Sequence, residues 1–415
     1  MTILHRKCCI TRTKIFKYGL KGGNCTLLKY LTKMEDLEMK KNKFLLSIVL
    51  LFALSLVLVA CGGSDNNTST DDDAEQTNDE NAGEQSDESA DFSVAMVTDT
   101  GGIDDKSFNQ SAWEGLEAWG EEHGAEKGAS GYDYAQSEDD SDYLPNFTRL
   151  VKNDFNLIFG VGFLLEDAVS DIAEQYPDNY FAIIDTVVEG PNIASITFAE
   201  HEGSFLAGVA AAMKTKTDKL GFVGGVDSDL INKFEVGFVA GAKSVNPDIE
   251  VQIQYAEDFN AVDKGKLIAS NMYNSDIDII YHAAGNTGNG VFAEAKDIKQ
   301  NDPDREIWVI GVDRDQYEEG LNEDNSTSVT LTSMVKRVDI SVQEVTNLAM
   351  SGEFPGGEIV EFGLEDEGIS VADTNEEAFT DDLKDAVSEW EEKIRNGELE
   401  VPKSRAELEE FEKDL

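Results

Sequence analysis

From Phe92 onward the chain alternates short apolar runs with amphipathic stretches, and this alternation limits what it can fold into more than any other feature. The runs SVAMVT (93–98), LIFGVG (157–162), YFAIID (180–185), ASITF (194–198), LGFVGG (220–225), VQIQYA (251–256), IIYHAA (279–284) and IWVIGV (307–312) read as strands buried on both faces. Residues 108–122, 165–175, 201–213, 231–244, 262–274, 289–298 and 338–350 carry apolar positions at helical spacing. Parallel strands need crossovers, usually helical, so this order predicts an α/β protein with parallel sheets covered by helices on both faces. The strands are too many for one small open sheet, and a break falls around Ala199 to Gly203. The expected architecture is two doubly wound lobes side by side, closing by a hinge on a ligand cleft. In such sheets ligands sit outside the carboxyl ends of the strands, so the residues just after each strand are the candidates for chemistry.

After the first strand comes DTGGIDDKSFNQ (99–110). A glycine-rich turn entering a helix suits phosphate, but Asp99, Asp104 and Asp105 crowd this one and would repel it. A neutral or cationic ligand is expected instead. The second glycine cluster, AGNTGNGVF (284–292), lacks the spacing and distal acid of a dinucleotide fingerprint. It reads as close backbone approach to a ligand, with the alternative that Gly288 and Gly290 only shape the turn. Other strand ends supply GVGFLLEDA (160–168) with Phe163 and Asp167, then Asp185, then Phe259 in EDFN and Asp313 in GVDRDQY; TSMVKRVD brings Lys336 to a lobe crossing. Aromatic faces suit a flat ring, and carboxylates accept hydrogen bonds from hydroxyl or ring N–H groups. Asp99, Phe108 and Asp313 stand best, because they end strands or open a helix on the crevice side. Phe163 is weighed as core, Asp105 and Asp315 as solvated or capping.

Beyond the first 60 residues the histidines are His123, His201 and His282, at no metal-binding spacing, and there is no nucleophile elbow or Walker lysine. The sequence therefore favours a binding protein without a cofactor over an enzyme. Charge narrows the partners. The formal net charge is −49, and the first 60 residues hold 11 of the 34 Lys and Arg but 3 of the 83 Asp and Glu, leaving 23 basic against 80 acidic groups. Such a surface repels nucleic acid and anionic lipid.

The amino terminus predicts export. Residues 39–60 begin with Lys40, Lys41 and Lys43 and continue with an apolar run from Phe44 to Ala60, the build of a secretory signal. That run is at the lower limit for spanning a bilayer. Its end, Leu58-Val59-Ala60-Cys61, resembles a bacterial lipobox, and no other cysteine lies at or beyond this junction, so Cys61 has no internal disulfide partner. Cys61 is expected to be lipidated, residues 61–91 to form an acidic disordered tether, and residues 1–38 to be an over-extended start.

Several longer stretches, among them VTDTGGIDDKSFNQSAWEGL, NIASITFAEHEGSFLAGVAA, GNTGNGVFAEAKD, IGVDRDQY and LTSMVKRVD, resemble the basic membrane protein family of bacterial lipoproteins across residues 92–363. The resemblance implies a type I periplasmic-binding-protein fold, with residues 92–199 and about 336–363 in one lobe and 200–335 and about 364–415 in the other. It implies a monomeric, lipid-anchored receptor on the extracytoplasmic face of a Gram-positive cell membrane, holding a nucleoside, a purine nucleoside by the family's pattern, for an ABC transporter permease. By motif position, Phe108 and Phe259 would sandwich the base, with Asp99, Asn109 and either Asp167 or Asp185 on its edge. Gly285, Asp313 and Lys336 would hold the ribose. Phe234 competes for the second ring, with core packing as its alternative; Trp113 and Trp119 read as packing.

Overall fold

The computed structural model describes residues 92–415. The expected signal, Cys61 and the tether lie outside the described residues. The first six strands are β1 (Val94–Thr98), β2 (Tyr132–Ala135), β3 (Leu157–Val161), β4 (Tyr180–Ile184), β5 (Ile193–Phe198) and β6 (Lys219–Gly224). The rest are β7 (Glu250–Tyr255), β8 (Ile279–Ala283), β9 (Trp308–Asp313), β10 (Thr330–Lys336), β11 (Ile359–Phe362) and β12 (Ile369–Val371). They form two sheets, ordered β11-β5-β4-β3-β1-β2 and β12-β10-β9-β8-β6-β7. Every pairing is parallel except β12 against β10. This is the type I periplasmic-binding arrangement of two doubly wound lobes.

The helices are α1 (Phe108–His123), α2 (Tyr143–Val151), α3 (Glu166–Gln175), α4 (Glu200–Lys214) and α5 (Asp229–Val245). They continue as α6 (Val262–Tyr273), α7 (Gly288–Asn301), α8 (Val338–Met350), α9 (Asp381–Arg395) and α10 (Arg405–Phe411). The chain crosses between the sheets three times, through α4, through α8 and through the link from β11 to β12. After its crossing α4 packs on α5, whereas α8 packs back on α1. Of the terminal helices, α9 packs on α4 and α10 on α5.

All eight apolar runs form strands, and β1, β3 and β8 are buried along their whole length, as a sheet covered on both faces requires, whereas VQIQYA, expected to be buried, forms the edge strand β7 and is largely exposed. One continuous apolar cluster spans both lobes, from Trp119, Phe159 and Ile196 to Phe222, Tyr281 and Leu331. Trp113 and Trp119 are core residues, as their spacing suggests.

Four strands, β2, β10, β11 and β12, are not shown by the apolar runs; three of them are sheet edges, and the interior one is β10, whose sequence TLTSMVK buries Thr330, Thr332 and Ser333. Their hydroxyls are satisfied internally. Thr330 Oγ1 donates to the Gln316 carbonyl at 2.9 Å, Ser333 Oγ accepts from the Gln316 amide at 3.0 Å, and Thr332 Oγ1 donates to the Ala372 carbonyl at 2.5 Å. Hydrogen bonding makes their burial tolerable and hides the strand from an apolar pattern.

Candidate functional site

The residues that follow β1, β3, β4, β8 and β9 converge on one cavity between the lobes, enclosing about 540 Å³ of atom-free space, part of it open to solvent. Asp99, Phe108, Asn109, Asp185, Phe259, Gly285, Asp313 and Lys336 all line it. Asp167 does not: it sits exposed in the first turn of α3. Of these two alternatives it is Asp185 that reaches the cavity, because Asp185 follows β4 directly whereas Asp167 lies within a helix whose inward face carries Ala168 and Val169.

The turn after β1 is built by its own acids. Asp105 Oδ1 accepts from the backbone N–H of Ser107 at 2.9 Å and of Gln110 at 3.1 Å, and its Oδ2 accepts from the Asn109 amide at 2.9 Å. These bonds satisfy donors that the start of α1 would otherwise leave unpaired. Asp105 is thus a cap, but a buried one that lines the cavity, not a solvated residue. Asp315 is exposed and accepts from the Tyr317 amide. Asn109 Nδ2 donates to Asp99 Oδ1 at 2.7 Å and Asp105 Oδ2 at 2.9 Å, holding the two carboxylates together. Burial pushes Asp99 up to about 6, opposed by hydrogen bonds from the Gly101 amide and Asn109. Burial raises Asp105 as well.

On the other side of the cavity a buried lysine is shared. Lys336 Nζ lies 2.6 Å from Asp185 Oδ2 and 3.7 Å from Asp313 Oδ1. Both aspartates have left-handed backbone, with φ of 73° and 66°, a conformation that Asp tolerates better than most residues. Burial works against the charge of Lys336, but Asp185, Asp313 and Glu200 together hold its ammonium above the usual lysine range. Burial lifts Asp313 to about 6 despite Lys336 and a hydrogen bond from Ser107. Behind this group Glu200, fully buried, is raised by burial and meets Lys233 Nζ at 3.0 Å. Asp185 Oδ1 and Glu200 Oε1 are buried without a hydrogen-bond partner among the described residues.

Four rings line the cavity: Phe108, Phe163, Phe234 and Phe259. Lys336 Nζ stands 4.5 Å from the Phe108 ring centroid and 5.6 Å from that of Phe234. Phe163 meets Phe259 edge to face, centroids 6.1 Å apart and planes at 79°. Phe163 and Phe234 had core packing as their alternative in the sequence, and both also face the cavity. For Phe163 the signal was its place directly after β3. For Phe234 it was one helical turn from Ile231 and Leu230, which line the same wall. Of the glycines in the second cluster only Gly285 lines the cavity, with φ of 53°, beside Ala284 and Asn286. Gly288 and Gly290 are kept small by protein neighbours, since a Cβ would strike the His282 ring in one case and the α6 backbone in the other.

The lobes touch across the cleft. Asn260 Nδ2 donates to the Thr100 carbonyl at 2.8 Å, Asn289 Nδ2 to the Asp105 carbonyl at 3.0 Å and Gln316 Nε2 to the Lys106 carbonyl at 2.8 Å. Ser107 Oγ donates to Asp313 Oδ2, and Arg314 forms a two-pronged pair with Glu114 at 2.9 and 2.8 Å. The enclosed space combines ring faces, carboxylate acceptors and one neutralised lysine. It suits a flat, uncharged molecule with donor groups and disfavours a phosphate.

Three comparisons bear on this geometry. The Bmp family model, described as ABC transporter substrate-binding protein PnrA-like, matches residues 92–405. The chain is 46% identical over 368 residues to the CD4+ T-cell-stimulating antigen of Listeria innocua, covering 88% of this chain and 99% of that protein. It is 45% identical over 318 residues to the ABC transporter nucleoside-binding protein BmpA of Lactococcus lactis subsp. cremoris, covering 75% of this chain and 89% of that one. Among solved structures, an ABC transporter solute-binding protein from Aeropyrum pernix superposes with a TM-score of 0.66 at 24% identity, over 77% of this chain and 96% of that chain, which supports the fold alone. The chain belongs to the Bmp family of PnrA-like substrate-binding proteins of ABC transporters.

Proposed function

We propose that this protein captures a nucleoside, with a purine preferred, and delivers it to the permease of an ABC importer while a diacylglyceryl group on Cys61 holds it to the outer face of the membrane as a monomer. The observation that carries the ligand class is the pairing of four phenylalanine rings with Asp99, Asp185, Asp313 and Lys336 in one cavity. Rings stack on a base, while the carboxylates accept from base N–H and sugar hydroxyl groups. The nucleoside-binding name of the Lactococcus relative supports the same class. Support for the anchor comes from the sequence of residues 39–64.

Isothermal titration of the protein, stripped of carried-over ligand by unfolding and refolding, with inosine, guanosine, adenosine, uridine and ribose tests the ligand. Saturable binding of purine nucleosides is expected, and binding should weaken by about 1–3 kcal/mol in Phe108→Ala through loss of a stacking surface. Absence of heat with every nucleoside at millimolar concentration would reject the reading; equal binding of ribose would replace it with a sugar receptor. For the anchor, mass spectrometry of the membrane-extracted protein should find a lipid-modified Cys61 at the amino terminus.

A further inference from the structure

We propose that Arg405 is a positioning residue for the ligand cavity: from α10 it braces, on the outer side, the two segments of the second lobe that carry Phe234 and Phe259. This rests on the cavity being the ligand site. Arg405 Nε and Nη2 donate to Glu235 Oε1 and Oε2 at 2.9 and 2.7 Å. Glu235 is 3% exposed and directly follows Phe234 in α5. A buried carboxylate stripped of its cation is strongly unfavourable, so this pair has a definite geometry to defend.

The knot extends to three elements. The Tyr255 hydroxyl lies 2.5 Å from Glu235 Oε2 and 2.9 Å from Asn232 Oδ1, accepts from Arg405 Nη2 at 3.2 Å, and can donate its one proton to either neighbour. Asp227, in the loop after β6, is 3.2 Å from Arg405 Nη2. Asp227, Asn232 and Glu235 bracket Leu230, Ile231 and Phe234, the part of α5 that lines the cavity. Tyr255 ends β7, four residues before Phe259, whose ring packs so closely over Gly225 that a Cβ there would collide with it. One guanidinium therefore ties the wall formed by α5 to the strand end that leads to Phe259.

Arg405 is itself held in place. Ser404 Oγ accepts from the Glu407 amide at 3.3 Å and Glu407 Oε2 accepts from the Lys403 amide at 2.7 Å, a cap that defines where α10 starts. A second pair joins the same two helices at their other ends, Lys243 with Glu412 at 2.5 Å, away from the cavity. It provides the control.

In the ligand-free full-length protein, Arg405→Met should speed amide hydrogen exchange at residues 231–236, Ala256 and Asp258 by about ten-fold or more, as expected for a local opening. Lys243→Ala should leave those amides unchanged. In titrations with inosine, at a temperature where both variants are folded, Arg405→Met should weaken binding by about ten-fold, Arg405→Lys should recover part of the loss, and Lys243→Ala should bind like the parent. The proposal is overturned if exchange at those amides is unchanged in Arg405→Met, or if both variants lose protection and affinity alike, as mere loosening of α10 would produce. Should Arg405→Met not fold, Tyr255→Phe takes its place with the same local exchange pattern expected, and an unchanged pattern rejects the brace. If the parent binds no nucleoside, the ligand reading fails separately and the exchange data alone decide the role of Arg405.

Discussion

In the first sheet β1 and β3 occupy the places that β6 and β8 occupy in the second, and β4 stands where β9 does. The chemistry at these matched positions differs. The turn after β1 opens α1 with Asp99, Asp105, Phe108 and Asn109, whereas after β6 the chain enters α5 through a Ser228 cap and offers Leu230, Ile231 and Phe234 to the cavity. At the other matched pair the lobes agree, since Asp185 directly after β4 and Asp313 as the last residue of β9 both have left-handed backbone. The cation they share comes from one side only. Lys336 ends β10, and the matched strand β5 ends in buried Phe198. A repeated topology thus supplies equivalent positions, and the side chains make one lobe the polar half of the cavity and the other mainly its apolar half.

The sharpest way to break that comparison is to remove the shared cation. Lys336→Met should destabilise the protein by about 3–5 kcal/mol in urea denaturation, because Asp185 and Asp313 are then buried uncompensated. Adding Asp185→Asn should recover part of the loss. A Lys336→Met protein as stable as the parent would mean that the two acids do not depend on a common counter-ion.

The polar half can be tested by pH. Asp99 titrates near 6 in the fold against an ordinary 3.8, so between these values the folded chain holds more protons than the unfolded one. On this account stability rises as pH falls from about 6 toward about 4, and the cost of the buried charge is fully present above that window. Asp99→Asn should flatten this rise, seen as a smaller shift of the urea midpoint between pH 7 and pH 5. A midpoint shift equal to that of the parent would mean that Asp99 is hydrated like a surface acid.

The smallest effect belongs to the rim. Arg314 and Glu114 join the lobes outside the cavity with side chains 26% and 41% exposed, so Glu114→Gln should change stability by only about 0–1 kcal/mol, less at high salt. A loss comparable with that of Lys336→Met would move the main interlobe tie from the cavity to its edge.

The α/β order, the double lobe and eight of the cavity's residues were legible in the sequence, because parallel strands buried on both faces are continuous apolar runs and doubly wound sheets place ligands at strand ends. Asp167 misled for a local reason. It lies a few residues past a strand, as a site residue would, but a short turn passes Phe163 to the cavity first and carries Asp167 onto the outer side of α3. Frequency of burial argued against Phe163 and its helical setting against Phe234, yet a residue can be packed and still form a wall.

By itself the sequence determined what is local and periodic: where strands and helices run, that the turn after β1 is acidic, and that Lys336 stands near a crossing between lobes. Only the tertiary structure decided which charges meet. The pairing of Lys336 with Asp185 spans 151 positions and that of Arg405 with Glu235 spans 170. Separations of that kind leave no periodic trace in a chain, because they arise from packing elements that are far apart in sequence. Burial of Lys336 with Asp185, and of Glu235 beneath the half-exposed Arg405, then gives those pairs their energetic weight, since the same charges in water would be screened and nearly indifferent to one another.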